Sequence, residues 1–369
     1  MYQTSGEKRN APERTFTTDR DELLNDPEIN VIVEVINETE PAFQIVTTAL
    51  KNGKDVVSAS KKMLAEHLAA LLDLQKETGH SLLYEAAACA SIPVIRNLEE
   101  YYDNDLLHSL RAIVNGSTNF ILTKMFEEKL DFKQALLLAQ QLGFAESDPS
   151  PDIEGVDAVN KWALLLAHAY GIVADPRNIV FNGIQHIQAG DATVAAEKHY
   201  EIKLVGQAKK LLNGKVAAFV LPQFVKSDDH LSFVKNEYNG VVIESGFADK
   251  QFFYGKGPAV FPLLPQYSVI YPPSAISTGS EYKKLYHHAP LDLTDEFYVK
   301  AYISFDDWDF IPKDKFEMDR RMARRKRPQI PDRRTLHLKN CNNGWWRENK
   351  TSLILTPDPI IERSWKSGS

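Results

Sequence analysis

The chain has 369 residues, 43 % of them hydrophobic and 25 % charged, with 43 Lys and Arg against 50 Asp and Glu for a net charge of −7. No apolar run reaches the ~20 residues of a membrane-spanning helix, and the opening stretch is too polar for a secretory leader. Two cysteines, Cys89 and Cys341, are too few for a disulfide framework or a multi-cysteine zinc site, which points to a reducing, cytoplasmic setting. Neither a membrane nor nucleic acid is expected as a partner, yet the acidic balance hides an asymmetry. Residues 319–334 hold eight basic and two acidic side chains, a local +6, which leaves −13 on the remainder. At ~150 residues per domain, the length suggests two or three domains.

The first ninety residues alternate strand and helix signals. Val31-Ile32-Val33-Glu34-Val35-Ile36 is a β-branched run of the kind buried in a parallel sheet. A helix pattern opens near Pro41 and closes at Gly53, with Lys51 and Lys54 at its end. A second strand is expected at 55–59, a helix from about Met63 to Gly79, and a third strand at 82–85. Elements alternating at this spacing read as βαβ units, hence a parallel sheet that binds ligands at the carboxyl ends of its strands. Those ends are Ile36-Asn37-Glu38, Ser58-Ala59-Ser60-Lys61 and Glu85-Ala86-Ala87. Before residue 79 the only glycines are Gly6 and Gly53, so no G-x-G-x-x-G loop is present to cradle a pyrophosphate. Either this sheet binds no dinucleotide, or the strand and loop that would do so precede Met1. The polar opening, with Asp19 and Asp21 as candidate helix caps, fits a start in mid-domain.

Past residue 100 the pattern changes. Helices are expected at 113–126, 132–142 and 156–170, the last two ended by Gly143 and Gly171. Segments 216–221 and 240–244 alternate like antiparallel strands, and strand-like runs at 297–303 and 352–356 leave room for one small α+β module.

The densest polar cluster is Gly143-Phe144-Ala145-Glu146-Ser147-Asp148-Pro149-Ser150-Pro151-Asp152, followed by Gly155, Asp157 and Lys161. The helix after it is apolar at ten of the thirteen positions from Ala158 to Tyr170, so most of its sides are buried. Asp157 and Lys161 stand at i and i+4 and share a face at its N-terminal end. A lysine at the mouth of a buried helix, paired with one carboxylate and facing others, is a tunable proton donor. From spacing alone the pair reads first as an ordinary surface ion pair.

The motifs, however, come in register with a known family. Asn115-Gly116-Ser117-Thr118-Asn119-Phe120-Ile121-Leu122, then Gly143-Phe144-Ala145-Glu146 with Asp148-Pro149, Asp152, Gly155, Asp157 and Lys161, resembles homoserine dehydrogenase. Val57-Ser58-Ala59-Ser60-Lys61, Tyr84-Glu85-Ala86 and Ile92-Pro93 are similar to the same family, and the match runs in order from about residue 19 to 257 and resumes near Glu281. The resemblance implies NAD(P)H-dependent reduction of L-aspartate 4-semialdehyde to L-homoserine, on the route to threonine, isoleucine and methionine, by a homodimer or homotetramer. It implies that Lys161 exchanges a proton with the substrate oxygen, that Asp157 holds its ammonium, and that Lys61 faces cofactor and substrate. Glu146, Asp152, Ser117 and Phe144 would bind substrate, while Ile36, Gly143 and Gly257 join Lys61 at the cofactor, NADP or NAD. Glu85 with the carbonyls of Ala88, Ala90 and Ile92 resembles a sodium site, an oxygen-only set suited to a hard cation.

The implied architecture is α/β. A partial Rossmann-type parallel sheet occupies 1–85 and an α+β catalytic and dimerisation domain 86–256. A return segment follows at 257–290, then a small C-terminal ACT-like α+β module at 291–369. Departures are visible: Ser60 and Lys62 flank Lys61 where the family more often has Asn and Ala, and Cys89-Ala90-Ser91 replaces a Gly-rich stretch. Cys89 reads as a small buried residue and His168 as a core histidine. After Gly257, Pro258, Pro262, Pro265 and Pro272-Pro273 occupy a stretch where the family begins a helix. That stretch and the basic run both regain the family's pattern when their degenerate codons are read in a shifted frame, so both read as compensated frameshifts. The alternative function is a catalytically dead small-molecule-binding or regulatory remnant of the same enzyme.

Overall fold

The computed structural model describes residues 16–89, 91–100, 107–256, 290–295, 297–304, 316–317, 334–337 and 352–361. Ala90, Gly257, the proline-rich stretch, Trp345-Trp346, Cys341 and all of the basic run but Arg334 lie outside those residues. The described chain divides into two units, one running to Ala87 and the other beginning at Ala88.

The first unit opens with α1 (Arg20–Asn25), capped by the Asp19 carboxylate, which accepts from the Asp21 N–H at 2.9 Å. β1 (Val31–Glu34), α2 (Thr39–Lys51), β2 (Asp55–Ser58), α3 (Lys61–Thr78) and β3 (Leu82–Leu83) follow as two βαβ units. The three strands are parallel in the order β1-β2-β3, with Val33 opposite Val57 and Val57 opposite Leu83. Pro41 is accommodated because it sits in the first turn of α2, where its missing N–H has no intrahelical partner to lose. Behind it, Ala42, Ile45, Val46, Ala49 and Leu50 form one buried stripe at helical spacing. β1 differs from the expectation of a fully buried strand. Among the described residues it has a neighbour on one side only, and Val31, Val33 and Val35 are 37 %, 38 % and 45 % exposed.

In the second unit α4 (Ala86–Cys89) leads from the boundary into α5 (Val94–Glu100), β4 (Leu107–Ile113), α6 (Gly116–Glu127) and α7 (Phe132–Gln141). Next come α8 (Ser150–Ile153), α9 (Val156–Tyr170), β5 (Val180–Phe181), α10 (Ala189–Glu197), β6 (Tyr200–Lys210) and β7 (Val216–Lys226). The chain continues with β8 (Tyr238–Ser245), β9 (Asp249–Lys256), β10 (Leu293–Thr294), β11 (Tyr298–Ser304), β12 (Phe316–Glu317), β13 (Arg334–His337) and β14 (Ser352–Ile361). These strands form one mixed sheet, β12-β13-β11-β14-β7-β6-β4-β8-β9, with β5 and β10 also paired to β7. Its spine is the antiparallel β6–β7 hairpin, in register from Tyr200 opposite Lys226 to Lys210 opposite Val216.

Two expectations change here. The helix anticipated from Ile113 begins at Gly116: Ile113 ends β4 opposite Gly240, and the Asn115 side chain caps α6 by accepting from the Thr118 N–H at 2.8 Å. The C-terminal region does not stand apart as a module among the described residues. β14 lies parallel to β7 with Leu355 opposite Gln223, and Val299, Ala301, Ile303, Leu353 and Leu355 share one apolar core with Phe219 and Leu221. Among the described residues, the β11–β14 pair gains its burial by extending the larger sheet.

Candidate active site

α9 is seated on the sheet by a close approach of ring to backbone. The fully buried Trp162 lies over Gly206 of β6, where a Cβ would come within 2.5 Å of the indole. At the head of α9, Gly155 has φ +84° in the left-handed region that favours glycine, and it turns the chain from α8 into α9 against Asn182. The Ile184 N–H donates to the Ile153 carbonyl at 2.7 Å, and the Asn182 N–H to Val220 of β7 at 2.9 Å. The sheet thus holds the α8–α9 corner that carries Asp152 and Asp157.

There the lysine is not a surface residue. Lys161 Nζ lies 2.8 Å from Asp157 Oδ2 and donates to the Val114 carbonyl at 2.9 Å, with its side chain 16 % exposed and that of Asp157 5 % exposed. Asn115 Nδ2 donates to Asp152 Oδ1 at 2.7 Å and to Asp157 Oδ2 at 2.8 Å. The Ser117 hydroxyl donates to the Phe144 carbonyl at 2.5 Å and lies near the Asp152 carboxylate. Burial, and then the charge on Asp157, push the Asp152 carboxyl above its ordinary value, against the hydrogen bond from Asn115, the nearby Ser117 hydroxyl and the charge on Lys161. Phe144 is half-buried against Phe120, ring centroids 4.8 Å apart.

Ser117, Phe144, Asp152, Asp157 and Lys161 are therefore together. Glu146 is exposed on the loop between α7 and α8, its carbonyl accepting from Gln140 Nε2 at 3.0 Å, and Gly143 is exposed at the end of α7. Spacing gave no role to Asn115, although an Asn just before a helix is a capping signal. Nothing in the pattern pointed to the Val114 carbonyl.

In the first unit the carboxyl ends of β1 and β2 are tied by Glu34, a carboxylate only 2 % exposed. It accepts from the Ile36 N–H at 2.6 Å, the Ser58 hydroxyl at 2.5 Å and the Ser60 hydroxyl at 2.7 Å. Ile36 and Lys61, both half-buried, flank this knot, and Lys61 is the first residue of α3. Glu85, Ala88 and Ile92 are each buried, Glu85 completely, and Ala90 lies outside the described residues. Cys89 is buried, and the buried His168 of α9 has Nδ1 2.6 Å from Glu99 Oε1. No helix among the described residues is long and apolar enough to cross a membrane.

Comparison with known proteins bears on both units. Residues 3–85 match a family model described as the NAD binding domain of homoserine dehydrogenase, and residues 93–260 match the homoserine dehydrogenase model. A homoserine dehydrogenase of Lactococcus lactis is 38 % identical over 247 residues, covering 67 % of this chain, and the chain spans 58 % of that relative's length. The crystal structure of a homoserine dehydrogenase from Thiobacillus denitrificans superposes with a TM-score of 0.76 at 26 % identity, over 93 % of this chain and 85 % of that one. A hyperthermophilic archaeal homoserine dehydrogenase mutant, solved in complex with NADPH, is 30 % identical over 65 % of this chain and 69 % of its own, with a TM-score of 0.54. Two adjoining family models, these relatives and the motifs gathered around Lys161 agree: the chain belongs to the homoserine dehydrogenase family.

Proposed function

We propose that the chain interconverts L-homoserine and L-aspartate 4-semialdehyde with NADP or NAD, in the cytoplasm, as a homodimer or homotetramer. The observation that carries the reading is the Lys161 ammonium, aimed by Asp157 Oδ2 at 2.8 Å and by the Val114 carbonyl at 2.9 Å, beside a second carboxylate, Asp152. Reduction of an aldehyde builds negative charge on its oxygen. A cation fixed in advance stabilises that charge and supplies the proton, and in the reverse direction the same nitrogen accepts it. Asp157 keeps the ammonium from rotating away. The substrate's own ammonium needs anionic partners, which Glu146 and Asp152 provide, while the Ser117 hydroxyl and Phe144 close the neighbouring wall.

The nicotinamide nucleotide supplies the hydride when bound. Residues at the carboxyl ends of β1 and β2 suit it. Ile36 offers an apolar surface held by the Glu34 knot, and Lys61, opening an 18-residue helix, offers a positive charge where a parallel sheet binds its ligands. Homoserine-dependent reduction of NADP or NAD, followed by the absorbance of the reduced nicotinamide at saturating cofactor, tests the reading. Turnover that disappears in Lys161→Ala supports it; absence of turnover in the unaltered chain sinks it.

A further inference from the structure

We propose that Asn115 is a positioning residue: its carboxamide ties Asp152 to Asp157, keeping Asp157 on the Lys161 ammonium and leaving Asp152 turned toward the substrate. The role rests on the function proposed above. Asn115 is 4 % exposed, and its amide oxygen and both amide hydrogens are engaged. Oδ1 accepts from the Thr118 N–H at 2.8 Å, so the other end of the amide, the NH2, must face the acids, giving one hydrogen to Asp152 Oδ1 at 2.7 Å and one to Asp157 Oδ2 at 2.8 Å. The flipped amide would set an oxygen against two carboxylates and a nitrogen against an N–H, losing all three bonds. Asp157 Oδ2 is also the oxygen that meets Lys161 Nζ, so a single atom is held between the amide and the ammonium.

Capping α6 does not require this residue type. Aspartate, serine and threonine cap as well as asparagine or nearly so, but none of them donates two hydrogens to two carboxylates at once. The charged groups acting on Asp152 are Asp157 and Lys161, both on α9, while α6 presents Asn115 and Ser117, neither of them charged. The amide is therefore the neutral clasp across a like-charge pair.

Asn115→Asp separates clasp from cap, because it keeps the capping oxygen and removes both donors. Thermal unfolding is measured across the carboxylate titration range for the unaltered chain, for Asn115→Asp, and for Asn115→Asp combined with Asp152→Asn. The clasp predicts that Asn115→Asp is destabilised at neutral pH, that the deficit closes as the pH falls and the acids protonate, and that the double variant, again one amide against two carboxylates, regains most of the loss. Failure of the single variant to fold at neutral pH, with the double variant folded, counts the same way. A single variant as stable as the unaltered chain at neutral pH overturns the proposal, as does a deficit indifferent to pH or a double variant no better than the single. In turnover assays, kcat for homoserine should fall at least ~10-fold in Asn115→Asp, less than the ~100-fold or more that losing a positioned acid–base group outright costs, with the KM for nucleotide unchanged. If the unaltered chain turns over no homoserine, the functional reading fails while the unfolding series still decides the clasp.

Discussion

Two buried carboxylates organise this protein, and they are satisfied in opposite ways. Glu34, at the ends of β1 and β2, takes its three hydrogen bonds from two hydroxyls and an amide N–H. Asp157, at the head of α9, takes its bonds from an ammonium and a carboxamide, with a second acid beside it. Neutral donors at short range hold a carboxylate without lending it a mobile proton, so the Glu34 centre shapes a loop. A cation and a like charge held in tension make a centre whose protons can move, as chemistry requires. Burial is nearly the same in both, and partner chemistry separates scaffold from site.

The contrast is broken most severely at the lysine. In a chain that turns over homoserine, Lys161→Ala should lower kcat at least ~100-fold, the usual worth of a positioned acid–base group, with a smaller change in substrate KM and a lower unfolding temperature, because Asp157 is left buried without its cation. Steady-state kinetics and a melt on the same preparation check it. A loss confined to KM would turn Lys161 into a binding residue. Glu34→Ala should cost stability and spare turnover. Removing the acceptor leaves the Ile36 N–H and the Ser58 hydroxyl unpaired in a buried place, at a cost of about 2 kcal/mol of stability by chemical denaturation. At saturating nucleotide kcat should persist, and a collapse of kcat would place Glu34 in the chemistry.

How much of this was legible beforehand differs between the units for physical reasons. The α2 stripe at 42, 45, 46, 49 and 50 and the apolar length of α9 follow from helical period alone, and both helices formed where expected, at Thr39–Lys51 and Val156–Tyr170. The start of α6 was misjudged by three residues because Ile113 and Val114 suit strand and helix pattern alike, and a side-chain cap settles the boundary. β1 looked like a buried strand because β-branched runs carry no record of how many neighbours a strand has. The pairing of Asp157 with Lys161 was visible as i,i+4. That the pair is buried depends on Gly206, forty-five residues further on, admitting Trp162. The Asn115 bridge, joining positions 37 and 42 residues apart, has no local signature at all.

The smallest expected effect concerns a buried lysine belonging to neither centre. Lys203 in β6 is 1 % exposed and donates to the Val234 carbonyl at 2.7 Å and to Asn119 Oδ1 at 3.2 Å, with Glu201 Oε2 at 3.4 Å. Burial pulls it down to about 8 from an ordinary 10.5, helped by the neighbouring Lys235 charge and opposed by Glu201 and Glu127. The folded chain therefore holds this proton less tightly than the unfolded chain does. Between about 8 and 10.5 the unfolded state binds more protons, so this residue makes stability rise with pH across that window; below 8 the full cost of the buried charge is present. Lys203→Met removes the titration. The stability of the unaltered chain minus that of the variant should then grow by on the order of 1 kcal/mol from neutral pH to about 10, whatever its starting value. Differencing against the variant cancels the tyrosines and other lysines that titrate in the same range. Urea denaturation at three pH values suffices, and a difference that stays flat would mean that Glu201 and Glu127 hold Lys203 at its ordinary affinity for the proton.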